Sequence, residues 1–486
     1  MYYDREIFQL RLFEIYSLFG QHRKSFEKAK TWRNNMEQQV TLSQMLIARE
    51  RRAQRQRELL EKYRASLISF TMNIAGPFKD TLLVRQGFAL GQRYLKQKLF
   101  YKKIKCLYEE TIEEVTGCEA YYVIDLDAVA LKYLTVEIED ATPPGRLFDL
   151  DVLNPDGLKI ERTELGLSAR RCLLCDRPAK ECARSRTHTL NELQDRTTRI
   201  LSQAMEQSDA KDAASLALRA LLHEACTTPK PGLVDRMDSG SHTDMNIFTF
   251  MDSASVLWPY FETCVRIGRQ TASAPATDTF SRLRNMGKSA ETDMAVATGG
   301  VNTHKGAIFT MGIMCAALGR LDREHWRTPE KILDECAAMT KGLTAFDFAG
   351  LNEENAHTTG QKLYLKYHIT GVRGQMEAGL PAVRSAGLPA LKAALAHGLS
   401  LNDAGCAALL ALMSTATDTN LIARSDLKTW RETTLQVRTL LAENPYPDVQ
   451  ILKQLNEEFI QKNLSPGGSA DLLAACYLLY FLETAT

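Results

Sequence analysis

Thr298-Gly-Gly-Val-Asn-Thr-His-Lys-Gly306 gathers three glycines, two threonines, an amide, a histidine and a lysine into nine residues. Ala-rich, helix-like sequence runs before it (290–297) and after it (307–318). The stretch therefore reads as a polar turn between two helices. A glycine-rich turn that enters a helix lets backbone N–H groups approach an anion, and the helix N-terminus favours negative charge. Lys305 adds a point charge suited to phosphate. The spacing is not that of a Walker loop, and a plain helix connector uses the same residue types.

Working outward, the same grammar repeats. Helical patterns cover 213–226, 246–268, 280–297, 307–318, 329–344, 388–398, 402–415 and 471–482, which predicts an all-α half from about 205 to 486. Polar turns fall between them: Thr228-Pro-Lys-Pro-Gly-Leu-Val-Asp-Arg236 just after Glu224, Gly240-Ser-His-Thr-Asp-Met245, Glu291-Thr-Asp293, Gly371-Val-Arg-Gly-Gln-Met-Glu-Ala-Gly379, Asp418-Thr-Asn420 and Asn463-Leu-Ser-Pro-Gly-Gly-Ser-Ala-Asp471. In the last, Ser465 fits an N-cap with Pro466 at N1, unless the glycines delay the helix to Ser469. Helix connectors rarely need so many polar groups. A site built from them suits a polyphosphate held with Mg²⁺.

Upstream the character is different. Residues 1–41 read as a helical extension without evident chemistry, and 42–198 as a mixed α/β domain. Residues 43–63 crowd Arg49, Arg51, Arg52, Arg55 and Arg57 onto one helix, either a solvated face or a set of guanidinium groups aimed at a polyphosphate. A strand is expected at 66–73, a turn at 74–79, a helix at 81–105, and strands at 121–125, 131–138 and 147–153. The polar run 196–212 marks a boundary.

In the last strand, period two places Asp149 and Asp151 on one face and Phe148, Leu150 and Val152 on the other. Carboxylates so spaced are how many nucleotidyl-transferring enzymes hold Mg²⁺ against a triphosphate, although an edge strand with one polar face looks the same. Cys172, Cys175, Cys182 and His188 form C-x₂-C-x₆-C-x₅-H, a spacing that matches a structural tetrahedral zinc site. The intervening basic residues would equally make a knuckle that contacts phosphates.

Composition narrows the class. With 60 basic against 59 acidic residues in 486, nothing pulls the chain globally towards nucleic acid or anionic membrane. No apolar run reaches the length of a membrane span, and Met1-Tyr-Tyr-Asp-Arg-Glu6 lacks a signal-peptide core, so a cytoplasmic protein is expected. The eleven scattered cysteines fit a reducing compartment.

At TPKPGLVDR, GSHTDM, GVNTHKGAIF, DTN and NLSPGGSADLL, the half from 205 to 486 resembles triphosphoribosyl-dephospho-coenzyme A synthase, the CitG family. At LIARERRAQRQ, GPFKD, GRLFDLDVL and RRCLLC…CARSRTH, the N-terminal half resembles apo-citrate lyase phosphoribosyl-dephospho-coenzyme A transferase, the CitX family. The chain is similar to a fusion of the two.

The resemblance implies that the C-terminal half joins ATP to 3′-dephospho-CoA with loss of adenine. The N-terminal half would then transfer phosphoribosyl-dephospho-CoA to a serine of the citrate lyase acyl carrier subunit, releasing pyrophosphate. Under it, Asp235 and Glu291 are candidates for stabilising oxocarbenium-like charge, and Asp244 and Asp293 for Mg²⁺. His242 or His304, with a near-neutral pKa, would move a proton. Lys230, Arg236, Lys305 and Arg373 would meet the triphosphate, with Asn302, Gly467 and Gly468 lining the nucleotide. Asp149 and Asp151 would hold Mg²⁺, and Arg146 would steady phosphate charge.

Three departures stand out. Gln375 replaces the family glutamate, so Glu377 substitutes for it or the position is dispensable. Ser425-Asp426 replaces a glycine pair, and Ala75 replaces a proline. Two other readings remain: an ADP-ribosyl or N-glycosyl hydrolase, and a zinc-knuckle module that only recruits the carrier.

Overall fold

The computed structural model describes residues 38–485, so nearly all of the helical extension read at 1–41 lies outside the described residues. The chain divides into two compact units after Glu206.

In the first unit, α1 (Leu42–Tyr63) starts with a capping box between Thr41 and Gln44. Then come β1 (Ser66–Met72), α2 (Leu82–Tyr101), β2 (Cys106–Ile112), β3 (Glu119–Ile124), α3 (Ala128–Ala141), β4 (Phe148–Leu153) and α4 (Ala179–Ser185). The strands form one antiparallel sheet in the order β2-β3-β1-β4. Alternation sends Ile68 and Phe70 into a core with α2 and α3, where Phe70 stacks on Phe88 at 4.5 Å. Leu67, Tyr121, Val123 and Leu153 meet Leu59 and Leu60 of α1 on the opposite face.

Residues 131–138 are helical rather than extended. Their β-branched residues favour a strand, but Leu131, Leu134, Thr135 and Ile138 are buried at helical spacing, and Asp127 caps α3 by accepting from Val129 and Ala130 N–H at 3.0 and 3.1 Å. Strand β2, whose residues alternate between exposed and half-buried without a clean apolar face, was not expected.

The long helix α5 (Leu190–Cys226) runs through 196–212. That run is polar but contains neither Gly nor Pro, so nothing in it breaks a helix.

The second unit is helical: α6 (Ile247–Ser255), α7 (Trp258–Gln270), α8 (Ala276–Ala297), α9 (Lys305–Arg320), α10 (Pro329–Met339), α11 (Leu343–Asp347), α12 (Thr359–Tyr367), α13 (Gly371–Glu377), α14 (Leu388–Ala396), α15 (Leu401–Met413), α16 (Thr419–Arg424), α17 (Leu427–Glu443), α18 (Val449–Gln461) and α19 (Gly467–Thr484). Its centre is α9 and α19, small-residue helices buried along most of their length. The helix expected over 246–268 is two, broken before Trp258-Pro259, and that over 329–344 stops at Thr340, where Gly342 takes φ +79°. Amphipathic α17 and α18 complete the bundle. Among the described residues, no helix is long and apolar enough to cross a membrane.

Candidate active sites

In the first unit, β4 is an edge strand, and its register with β1 sets Asp149 opposite Thr71 and Asp151 opposite Ser69. Both carboxylates therefore lie on the face covered by α1. The outer edge of β4 is closed by side chains. Leu150 N–H donates to Glu139 at 2.8 Å, Lys132 donates to Leu150 O at 3.1 Å, and Arg170 donates to Phe148 O at 2.8 Å. These bonds fix the strand that carries the aspartates.

Asp149 lies 3.6 Å from Arg170 and Asp151 lies 2.7 Å from Lys159. Burial and then the Asp151 charge push the Asp149 carboxyl above its usual range. A cavity of about 190 Å³ adjoins Asp149 and is lined by Arg49, Arg52, Lys79, Asn73 and Thr71.

Most arginines of α1 are already committed: Arg51 to Glu114, Arg52 to Glu119 at 2.8 Å and Arg55 to Glu110 at 2.8 Å. Among the described residues Arg49 has no such acid partner, and it lines the cavity. Neither reading of 43–63 is complete, because these guanidinium groups mainly bind the helix to β2, β3 and the loop between them. Arg146 is also committed, donating to Arg171 O at 3.0 Å and to Cys172 O.

Cys172, Cys175, Cys182 and His188 converge, with their ligand atoms all within 4.8 Å of one another. Cys175 Sγ lies 3.5 Å from Cys182 Sγ and 3.3 Å from His188 Nε2. A tetrahedral zinc ion would set sulfurs roughly 3.8 Å apart and sulfur to nitrogen roughly 3.6 Å, so the donor set fits. Arg177 N–H, then His188 and Cys182, draw the Cys175 thiol down to about 6.

In the second unit, several expected ligands are turned inward. Lys230 is 1% exposed and its ammonium sits 2.5 Å from Glu224 and 2.8 Å from Glu224 O, so it faces a buried carboxylate rather than an open phosphate site. Asp235 is spent on its own turn. One oxygen accepts from Thr228 Oγ1 at 2.6 Å and Lys230 N–H at 3.0 Å, and the other from Met237 and Asp238 N–H.

The α19 glycines are likewise engaged. The helix begins at Gly467, not after Ser465 and not at Ser469, and it has no side-chain cap of its own. Asp418 performs that task, accepting from Gly468 N–H at 3.3 Å and Ser469 N–H at 2.7 Å while capping α16. Ser465 instead meets His242 Nε2 at 2.9 Å.

His304 is buried at the entrance to α9, with Nδ1 2.6 Å from Ser253 Oγ and Nε2 without a partner among the described residues. Burial and the Lys230 charge drive its pKa to about 3, so the near-neutral value expected from sequence is wrong for this ring. His242 is also shifted down, by burial and then Arg424. Asp471 lies against Gly306, where an added Cβ would fall 1.9 Å from its Oδ2. Burial, then the Glu224 and Asp418 charges, push the Asp471 carboxyl far above its ordinary range.

The remaining candidates sit at the surface around this centre. Lys305 pairs with Glu291 at 2.9 Å, Arg373 with Asp347 at 2.7 Å, and Asn302, Arg236, Asp244 and Asp293 are exposed. Asp244 lies 3.8 Å from His242. Glu377, the residue that could stand in for the family glutamate, accepts from Gly342 and Thr344 N–H at the start of α11.

The inward-facing constellation is thus Glu224, Lys230, His304 and Asp418, all buried, with the half-buried Asp471 beside them. Three of its carboxyls were not among the sequence candidates, although each sits at the edge of a polar turn. Glu139 was missed too, since a glutamate inside an amphipathic helix carries no signal of its own.

Known proteins resemble both units. The family described as "ATP:dephospho-CoA triphosphoribosyl transferase" matches residues 210–486, and "Apo-citrate lyase phosphoribosyl-dephospho-CoA transferase" matches 40–204. The chain is 36% identical to Protein CitXG of Haemophilus influenzae, over 91% of this chain and 96% of that protein. It is 32% identical to Protein CitXG of Leuconostoc mesenteroides subsp. cremoris, over 90% and 96%. The 2-(5''-triphosphoribosyl)-3'-dephosphocoenzyme-A synthase of Haemophilus ducreyi is 35% identical over 64% of this chain and 99% of that protein. Each unit, with its own cluster of acids and bases, has its own family, and the chain as a whole belongs to the CitXG family.

Proposed function

We infer that the chain is a bifunctional transferase that makes and attaches the prosthetic group of citrate lyase, with domains at 42–198 and 205–486. The observation that carries this is similarity to CitXG proteins along nine-tenths of the chain, through both compact units. The substrates we propose are ATP, 3′-dephospho-CoA and the apo acyl carrier subunit.

In the second unit, the 2′-hydroxyl of dephospho-CoA attacks C1′ of the ATP ribose, the C1′–N9 bond breaks and adenine leaves. The half-buried Asp471, held towards its protonated form, is suited to donate the proton that departing adenine needs. His304 acts as a neutral imidazole whose free Nε2 orients a substrate group. His242, the more accessible ring, is the better candidate for accepting a proton. Lys305, Arg236 and Arg373 are the cations near enough to solvent to meet a triphosphate, and Asn302 borders the same turn. The developing positive charge at C1′ is stabilised by the acidic surroundings, Glu291 among them.

In the first unit, chemistry of the nucleotidyltransferase kind follows from the Asp149–Asp151 face. The carrier serine Oγ forms a bond to the α-phosphorus as the bond to pyrophosphate breaks. Arg49 and Lys79 line the adjoining cavity and suit the phosphates. Asp149 and Asp151 fit Mg²⁺: their mutual repulsion is what a hard cation relieves, and when bound it would neutralise charge on the triphosphate. Asp244 and Asp293 are exposed and show no such mutual repulsion, and like Asp149 and Asp151 they join no group of three potential ligands among the described residues, so we assign Mg²⁺ to the Asp149–Asp151 pair alone. A structural zinc ion suits the cysteine–histidine cluster.

Adenine release tests the first step. It should require 3′-dephospho-CoA. Equal release without it would instead support the hydrolase reading.

A further inference from the structure

The cysteine–histidine cluster is built into the element that steadies the Asp149 strand. The loop from Cys172 to Arg177 is closed by Cys172 N–H donating to Arg177 O at 2.7 Å, and Ala179 N–H donates to Arg170 O at 2.8 Å. Helix α4 supplies Cys182, and His188 directly precedes the Thr189–Glu192 capping interaction that begins α5. Three segments thus contribute ligands. Three thiolates and an imidazole around Zn²⁺ carry a net charge of −1. Between 170 and 188 the sequence has six basic residues (Arg170, Arg171, Arg177, Lys180, Arg184, Arg186) against two acidic (Asp176, Glu181), which offsets that charge. A disulfide between Cys175 and Cys182 would use only two of the three thiols and leave the imidazole unexplained.

The segment entering the cluster does three things at once. Arg170 contacts Glu139 at 2.8 Å, Phe148 O at 2.8 Å and Asp149 at 3.6 Å. The carbonyls of Arg171 and Cys172 accept from Arg146. The same residues line a cavity of about 630 Å³ that includes Asn73, Arg146, Arg170 and His188. Asn73 borders this cavity and the smaller one at Asp149.

We propose that Cys172, Cys175, Cys182 and His188 bind one zinc ion, and that this ion clamps the 170–172 segment so that Arg170 and Arg146 are held beside the Asp149–Asp151 strand. Arg170 is then a positioning residue, acting through β4. The clamp rests on the transferase reading of the first unit. The metal site does not.

The test uses the full chain purified without chelator. One zinc per chain is expected, and Co²⁺ exchanged into the site should give the ligand-field absorption of a tetrahedral thiolate complex. Stripping zinc should slow carrier modification roughly 10–100-fold, the range seen when supports around a metal site are lost, while dephospho-CoA-dependent adenine release stays within about twofold as an internal control. Re-adding Zn²⁺ should restore transfer. Arg170→Gln should keep the zinc and still lose transfer, so the clamp remains testable even if the stripped protein fails to fold. Wild-type protein without stoichiometric zinc, or with a Cys175–Cys182 disulfide, would overturn the site. Full transfer by stripped protein, or by Arg170→Gln, would overturn the clamp. Zinc-loaded protein that releases adenine but never modifies the carrier would overturn the transferase reading and leave the metal site standing.

Discussion

Lys230→Met tests the buried centre of the second unit. The Lys230 and Glu224 side chains are 1% and 5% exposed and 2.5 Å apart. Removing one partner of such a pair leaves an uncompensated charge in the interior, at a cost of about 3–5 kcal/mol, against a total stability of order 5–15 kcal/mol. The cost has a pH signature. Burial already raises the Glu224 pKa against the opposing pull of Lys230, and methionine removes that pull. A carboxyl whose folded pKa exceeds its unfolded value binds more protons when folded, so its contribution is full below about pH 4.3 and is lost as pH rises through the folded pKa. The deficit of Lys230→Met relative to wild type should therefore grow between pH 5 and pH 8. Urea unfolding followed by tryptophan fluorescence reads this unit, because three of the four tryptophans (Trp258, Trp326 and Trp430) lie in it. Adding Glu224→Gln should recover most of the loss, since both charges are then gone. A loss under about 1 kcal/mol at pH 8, or a double variant no more stable than the single one, would refute a buried ion pair.

Gly306→Ala would push a Cβ to 1.9 Å from Asp471 Oδ2. Adenine release should fall at least tenfold, while transfer from supplied triphosphoribosyl-dephospho-CoA should be unchanged; equal effects on both rates would indicate general misfolding. Asp149→Asn with Asp151→Asn should cost transfer about 100-fold or more, as expected when a bound metal's stabilisation of several kcal/mol is lost, with adenine release intact. Carrier modification at the wild-type rate would remove these residues from the site. His304, held near 3, should show no ring titration by NMR between pH 5 and 8. Its folded pKa lies below the unfolded value, so the stability it contributes is complete above about 6.5 and drains away as pH falls from there towards 3; a midpoint near 6.5 in the folded protein would contradict the burial.

How much of this was legible depended on whether a residue's role was local. The strand at β4 and the phase of Asp149 and Asp151 follow from alternation, which is a property of neighbouring residues. The convergence of Cys172, Cys175, Cys182 and His188 is nearly local as well, since all four fall within 17 residues. The 131–138 segment misled because Val136 and Thr135 favour strands, while burial on one helical stripe decided the outcome. In the helical unit, the turns were visible but their wiring was not. Asp418 caps a helix that begins 49 residues later, at Gly467, and Glu224 meets Lys230 across a tight turn. Residues that looked free to bind phosphate were neutralised by partners that only the fold supplies. Conversely, Asp471 looked like the tail of a glycine-rich motif, and its raised pKa comes first from burial and then from the Glu224 and Asp418 charges, against the opposing pull of the Ala307 N–H of α9.

The two-step function is tested most directly by the intact mass of the apo acyl carrier subunit after incubation with the full chain, ATP and 3′-dephospho-CoA. A single covalent addition of phosphoribosyl-dephospho-CoA on one serine, with adenine and pyrophosphate both released, is the predicted result. An unmodified carrier, in a reaction that consumes ATP and releases adenine, would contradict it.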